Sequence, residues 1–343
     1  MKNQNSKIES VLQEKLGGKV LLGESLKYYT TMKVGGVAKF LYKAKDSGQV
    51  LRAIKVALDL KLSYFILGKG GNVIFSDDGF EGLMIVNQAS KVSFFEDKAE
   101  VWAESGITNG ELVMKAAEKG FGGIEFLATI PGTLGGALYG NVGAYGWEIG
   151  SFVKSISLLI LPDKSKEVKV VKKPGSFLKP LYRSTILKRL NAKIIAQGKG
   201  ISWGSFHPII LSATLQLQRK KPEQIAREIG KLIEMRRKRQ PQGIISSGST
   251  FKNPLGRSSK IDEVYKDIKK TASYMLDNVG AKKIKVGDAR VSDRHANFFT
   301  HSGKATAQNI KDLVQELQKR VYEDTKLSSI QRLNLWENLS RIN

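Results

Sequence analysis

Apolar residues recur three and four positions apart, the spacing of one helix face, in several separated stretches. These are residues 1–18 (Ile8, Val11, Leu12, Leu16), Ser47–Leu60 (Val50, Leu51, Ile54, Ala57, Leu58), Asn109–Lys119 (Leu112, Val113, Ala116), Glu223–Gln240 (Ile225, Ile229, Leu232, Met235), Ala272–Gly280 and Thr306–Tyr322 (Ile310, Leu313, Leu317, Val321). Apolar or alternating runs between them predict strands. They are the run from the Gly35-Gly36 turn to Asp46, then Tyr64–Leu67, Val73–Phe75, Leu83–Val86, one or two strands in Val92–Glu104, Val153–Leu161, a strand after Tyr182-Arg183, and Ile209–Leu217. Asp163–Lys173 is charged and reads as exposed; Ala192–Pro208 reads as a loop whose Trp203 and Phe206 pack on something.

Glycine interrupts this pattern at two places. Gly68-Lys69-Gly70-Gly71-Asn72 follows the strand Tyr64–Leu67, and strand, helix, strand, Gly-rich loop is the order of a small α/β unit. The second place carries Gly132, Gly135, Gly136, Gly140, Gly143, Gly146 and Gly150, with no charged residue between Pro131 and Gly146. Glycine weakens helices and strands, so such density belongs where backbone approaches something closely or needs φ > 0. Two readings fit: a nest of N–H groups facing a phosphate, with Thr133, Asn141 and Tyr145 adding polar groups, or a tight turn between core elements.

Composition narrows the function classes. The 343 residues suffice for two or three domains, and 41% apolar with 26% charged residues is ordinary for a globular chain. No apolar run approaches the roughly 20 residues of a bilayer span. The polar N-terminus lacks a signal-peptide core, so the cytoplasm is the expected location. No cysteine and three histidines leave little material for a metal centre, and none is expected. The net charge of +24 raises nucleic acid as a partner, but the charge is spread as singles and short clusters such as Arg236–Arg239. That distribution favours a lysine-rich bias that helps hold phosphorylated ligands.

IPGTLGGALYGNVGAYG (Ile130–Gly146) closely resembles the FAD-binding segment of the UDP-N-acetylenolpyruvoylglucosamine reductase (MurB, UDP-N-acetylmuramate dehydrogenase) family. TTMKVGGVA (Thr30–Ala38), LGKGGN (Leu67–Asn72), DDGFEG, the Tyr182-Arg183 signature, GSTFKNP (Gly248–Pro254) and VSDRHANF (Val291–Phe298) resemble the same family, in the same order. The resemblance implies an α+β fold. Two small α/β FAD-binding domains of the PCMH type, residues 19–90 and 91–218, would follow an N-terminal helix at 1–18, and an α/β substrate domain would span 219–343. A boundary is expected near Arg219–Pro222.

It implies FAD on Gly68, Gly70, Gly71, Asn72, Gly132, Thr133, Gly135, Gly136, Asn141, Gly143, Ala144 and Tyr145. It implies a reaction in which NADPH reduces the flavin and leaves, and the enolpyruvyl ether of a UDP-sugar then accepts hydride to give UDP-N-acetylmuramate, a peptidoglycan precursor. Arg183 would stabilise the developing enolate, Ser249 would donate the proton, and Asn253 and Arg239 would bind substrate. His295 reads as a packed structural histidine.

The chain departs from the family pattern at Val37 (usually Pro), Gly71 (usually Ser), Thr185 (usually Ser) and the Ala192–Pro208 insertion. Most telling is Ile330: the resemblance aligns Leu327–Arg332 with the family's last strand, and Ile330 stands where that strand has a glutamate that assists protonation. An isoleucine cannot exchange protons. The alternative is therefore a diverged or catalytically impaired paralogue that binds FAD or UDP-sugar.

Overall fold

The computed structural model describes residues 2–160, 168–190, 208–253 and 271–325. The fold is α+β, built on three principal sheets. Helix α1 (Lys2–Leu16) leads into β1 (Val20–Ser25) and β2 (Val37–Ala44). Helix α2 (Ser47–Asp59) starts at Asp46, whose side chain accepts from Gln49 N–H, and is followed by β3 (Tyr64–Leu67) and β4 (Phe80–Asn87). The sheet order is β1-β2-β4-β3, with β4 parallel to both neighbours and β1 an antiparallel edge. The predicted helix faces are buried: Leu12 and Leu16 of α1 and Val50 and Ile54 of α2 share one core with Phe40 and Ile85.

Val73–Phe75, predicted as a strand, is irregular. Its side chains serve two cores at once, Ile74 joining the C-terminal cluster and Phe75 the first sheet's own cluster, so the segment bridges rather than pairs.

The second sheet is antiparallel throughout, in the order β11-β10-β12-β6-β5. It is formed by β5 (Val92–Phe95), β6 (Glu100–Glu104), β10 (Val153–Ile160), β11 (Lys169–Pro174) and β12 (Ile209–Gln216). Lys169–Lys173, expected only to be exposed, is in fact an edge strand paired with β10; lysines on an edge discourage further pairing. Between β6 and β10 run α3 (Asn109–Glu118), the two-residue β7 (Phe121–Gly122), α4 (Leu134–Gly140) and the small hairpin β8 (Gly143–Ala144) and β9 (Trp147–Glu148). The stretch after Tyr182-Arg183 is not a strand: helix α5 covers residues 186–190, with Arg189 N–H donating to Thr185 O.

After β13 (Gln218–Arg219), which pairs with β7, helix α6 spans Pro222–Arg239. Helix α7 (Ala272–Asn278), the sheet β14 (Lys285–Val286), β15 (Ala289–Ser292) and β16 (His295–Thr300), and helix α8 (Ala307–Thr325) complete the described chain. Ile310, Leu313, Leu317 and Val321 of α8 are buried, as their spacing predicts.

Specific ties fix these sheets around a common junction. Buried Glu104 accepts from Ser47 N–H at 2.8 Å and Lys91 N–H at 2.9 Å, locking α2 onto the second sheet. Asp77 accepts from the N–H groups of Ala307 and Gln308, capping α8 from the first unit. His301 Nδ1 accepts from Gly303 N–H, so its Nε2 carries the hydrogen and donates to Met32 O at 2.6 Å. Lys220 joins Glu125 to Glu228 and anchors the start of α6.

Candidate functional site

Three loops interlock at the junction of the first two sheets. Gly70 adopts φ +61°, and a Cβ there would lie 2.1 Å from Tyr29 O, so only glycine fits. Thr31 N–H donates to Gly70 O at 3.1 Å. A Cβ on Gly68 would lie 2.5 Å from Thr133 Oγ1, and one on Gly71 would lie 3.2 Å from Pro131 O. The two glycine-rich segments, far apart in sequence, therefore touch.

Among the described residues nothing accepts from the peptide N–H groups of Lys69, Gly70, Gly71 and Asn72, nor from those of Gly132 and Thr133. Two adjoining rows of uncommitted N–H groups suit a diphosphate. Gly136 is exposed, and a Cβ there would meet only Thr133 Oγ1, at 3.6 Å. These residues fit FAD.

The rest of the glycine run has other duties. Leu134 and Gly135 give their N–H groups to Ile107 O and Ser105 O, so this part of the nest does not face a ligand. A Cβ on Gly135 would lie 2.9 Å from Ser105 Cβ; the glycine is there for packing. Asn141 is fully buried at φ +45°, and its amide is committed within the protein. It donates to Glu148 Oε2 at 2.7 Å and Leu181 O at 3.0 Å, and accepts from Gly150 N–H at 3.0 Å. Its place is behind the loop rather than on a ligand. Gly143 is buried in the β8–β9 hairpin, where a Cβ would lie 2.3 Å from Trp147 O, and Ala144 is half-buried beside it. Tyr145 Oη donates to Leu232 O at 3.3 Å and ties the hairpin to α6.

Cations from two units converge beyond this hairpin. Arg183 sits at φ +52° in a tight turn closed by paired hydrogen bonds between Leu181 and Ser184. Its Nη2 donates to Gly143 O at 2.6 Å, and its Nη1 stands 4.0 Å from Glu148 Oε1. Lys188 of α5 is buried and donates to Arg183 O at 3.3 Å. Burial, with Lys252 and Arg183 beside it, pulls its ammonium down from 10.5 to about 8. Lys252, from the C-terminal unit, is lowered by burial and then by Arg183. Arg236 of α6 is likewise lowered by burial, opposed by nearby Tyr145.

Ser249 is exposed, opposite Phe298 at the edge of β16. Its segment is clamped by Asn297, whose main-chain oxygen accepts from Thr250 N–H and whose side chain exchanges two hydrogen bonds with Phe251. Ser247 Oγ and Thr250 Oγ1 are buried without a partner among the described residues. Asn253 Oδ1 accepts from Ala272 N–H at 3.0 Å, which fixes α7, and among the described residues nothing accepts from its amide nitrogen. His295 accepts from Asn297 N–H and stacks edge-on against Phe298; burial keeps its pKa low, as befits a packed neutral ring.

Ser249, Lys252 and Asn253 thus share one segment, and Lys252 faces Arg183 and Lys188. Arg239 does not join them: it is exposed at the end of α6, and Arg236, one turn back, is the half-buried cation. Sequence reading passed over Arg236, although it continues the Ile225, Ile229, Leu232 stripe. Lys188 carries no local signal, because only the closure of α5 on the Arg183 turn buries it. Ile330 and the whole of Leu327–Arg332 lie outside the described residues, as does Ala192–Pro208 apart from Pro208. Among the described residues no cluster of acidic, histidine or cysteine side chains could hold a metal, and no helix is long and apolar enough to cross a membrane.

Comparison with known proteins places this arrangement. A profile described as "FAD binding domain" matches residues 38–163, and one described as "UDP-N-acetylenolpyruvoylglucosamine reductase, C-terminal domain" matches residues 240–329. The UDP-N-acetylenolpyruvoylglucosamine reductase of Caldicellulosiruptor saccharolyticus is 31% identical over 313 residues, covering 90% of this chain and 89% of that protein. That of Alkaliphilus oremlandii is 34% identical over 306 residues, covering 89% of each. Among solved structures, the UDP-N-acetylenolpyruvylglucosamine reductase (MurB) of Thermus caldophilus superimposes with a TM-score of 0.65 at 27% identity, covering 88% of this chain and 94% of that one.

Proposed function

The chain belongs to the UDP-N-acetylenolpyruvoylglucosamine reductase family, an FAD-dependent oxidoreductase family of peptidoglycan synthesis, and from that premise we propose how it works. It reduces the enolpyruvyl ether of a UDP-sugar to UDP-N-acetylmuramate in the cytoplasm, with NADPH as the source of electrons. The observation that carries this reading is the meeting of Arg183, Lys188 and Lys252, the last from the Ser249 segment, against the Gly143 hairpin, whose Tyr145 lies near Arg236.

Residues 19–90 and 91–218 act as the two halves of a flavin cradle, and 219–343 closes it as the substrate unit. The free N–H groups of Lys69–Asn72, Gly132 and Thr133 hold the diphosphate of FAD, while Gly136 lets the cofactor come close. Bound there, FAD supplies hydride chemistry that no side chain can provide. Arg183 grips the substrate carboxylate with its planar fork and stabilises the negative charge that spreads into it during reduction. Ser249 donates the proton that completes addition across the double bond. Arg236, Arg239 and the amide nitrogen of Asn253 hold the nucleotide portion.

A second reading keeps binding but removes turnover. It rests on Ile330, which cannot serve the protonation that a glutamate assists. Loss of one general acid or base costs on the order of 10²–10⁴-fold.

One assay decides between them. The purified protein is expected to absorb in the visible as a flavoprotein and to consume NADPH only when the enolpyruvyl sugar nucleotide is present. A yellow protein without substrate-dependent turnover, restored by Ile330→Glu, supports the second reading. A colourless protein that takes up no added FAD removes both.

A further inference from the structure

We propose that Lys188 is a positioning residue for the substrate's carboxylate: it fastens the left-handed turn of Arg183 from behind and adds a fixed charge to the pocket that the carboxylate enters. The proposal rests on the functional reading above, in that the anion is the carboxylate of the enolpyruvyl group.

Geometry supports it from several sides. Lys188 is 8% exposed, and its Nζ donates to the main-chain oxygen of Arg183, the residue at φ +52°. That backbone conformation is costly for a residue with a Cβ and persists only where its surroundings hold it. The charged groups that face Lys188 are Arg183 and Lys252, both cations, and no carboxylate pairs with it among the described residues. Arg189, next to it on α5, is turned to Lys179 O. Glu148 stands by the Arg183 guanidinium instead. A buried ammonium with like-charged neighbours and no counter-ion among the described residues is expensive unless an anion arrives. The substrate carboxylate is the anion that would relieve it. Thr185, whose buried hydroxyl donates to Tyr139 O at 2.8 Å, sets where α5 begins and so how far Lys188 reaches.

The test compares two ligands on the flavin-loaded protein by isothermal titration. UDP-N-acetylenolpyruvoylglucosamine carries the carboxylate; UDP-N-acetylglucosamine has the same nucleotide and sugar without it. Lys188→Met is expected to weaken the first by on the order of 10–100-fold, the worth of a charged hydrogen bond, and to leave the second unchanged. Lys188→Arg should restore most of the loss. A pH profile separates this from a merely structural role. In the native protein kcat/KM should fall above about pH 8, as the lysine loses its proton, and that limb should be missing in Lys188→Arg, whose guanidinium stays charged. Equal weakening of both ligands, no weakening of either, or an unchanged basic limb in Lys188→Arg would each overturn the proposal. If Lys188→Met does not fold, the Lys188→Arg profile decides alone. If the native protein binds neither ligand, the functional reading fails first, and this one with it.

Discussion

Arg183 Nη2 donates to Gly143 O at 2.6 Å, while the turn that carries Arg183 is held from the other side by Asn141, whose Nδ2 donates to Leu181 O at 3.0 Å. Residues two apart in the glycine run therefore fix both the guanidinium and the backbone of the same arginine. Asn141→Ala would leave Gly150 N–H without its acceptor, take one donor from Glu148 and from Leu181 O, which Ser184 N–H still reaches, and open a cavity at a fully buried position. Each buried group left unpaired costs about 1–3 kcal/mol. The expected outcome is lower stability in denaturant, a large fall in kcat/KM, and flavin content close to normal in whatever folds. Flavin loss out of proportion to unfolding would instead mean that Asn141 touches the cofactor.

Two glycines in the same cradle should behave oppositely when given a methyl group. At Gly70, alanine meets Tyr29 O at 2.1 Å and must hold φ +61°. The left-handed backbone alone costs about 1–2 kcal/mol, so the loop rearranges and both stability and flavin are lost. At Gly136 no protein atom stands in the way, and the residue lies in the first turn of α4, where alanine is favoured by up to about 1 kcal/mol. Gly136→Ala should therefore unfold no earlier than the native protein and still bind FAD more weakly, as read by flavin retention on dilution. Unchanged retention would take Gly136 off the cofactor face.

The elements with strong periodicity were legible in sequence: the apolar stripes of α2, α3 and α8 are the buried faces, and β2, β3, β10 and β12 lie where alternating or apolar runs place them. Failures occurred where a segment answers to two partners at once. Val73–Phe75 looks like a strand because both of its buried residues are apolar, yet they point to different cores. At the candidate site, the motifs pointed to Ser249, Arg183 and the glycine loops, because glycine density and fixed spacing are local signals, and the fold brings Arg183 against Gly143 and Gly68 against Thr133. Lys188 and Arg236 became visible only in three dimensions, since burying a cation is a property of the packed helices around it. Asn141 differs in the other direction: in sequence it lies among residues that the resemblance assigns to the cofactor, but its amide is hydrogen-bonded inside the protein.

Ser249 is held by its neighbours rather than by its own side chain: Asn297 pins Thr250 and Phe251, and the serine is left exposed across from Phe298. Replacing it should therefore cost little stability. Ser249→Ala is expected to lower substrate-dependent turnover by on the order of 10²–10⁴-fold, the usual worth of a proton donor. Reduction of the flavin by NADPH, followed by bleaching in the absence of sugar nucleotide, should proceed at the native rate. Ser249→Cys should lie between. If bleaching slows equally, the serine belongs to cofactor positioning and not to protonation.

The buried ammonium of Lys188 also sets a pH dependence of stability. Its folded pKa is about 8 against an unfolded value of 10.5, so between these values the unfolded chain binds a proton that the folded chain does not. Stability must then rise with pH across this window. The penalty for burying the charge is complete below about pH 8 and gone above about pH 10.5. Other lysines titrate in the same range, so the contribution is isolated by difference against Lys188→Met, which carries no charge at any pH. In denaturant titrations without substrate, the stability of the variant relative to the native protein, lowered at every pH by loss of the hydrogen bond to Arg183 O, should be most favourable near neutral pH and fall steadily as the pH is raised through the window. A gap that stays constant with pH would show that the Lys188 ammonium already has its counter-charge in the ligand-free protein.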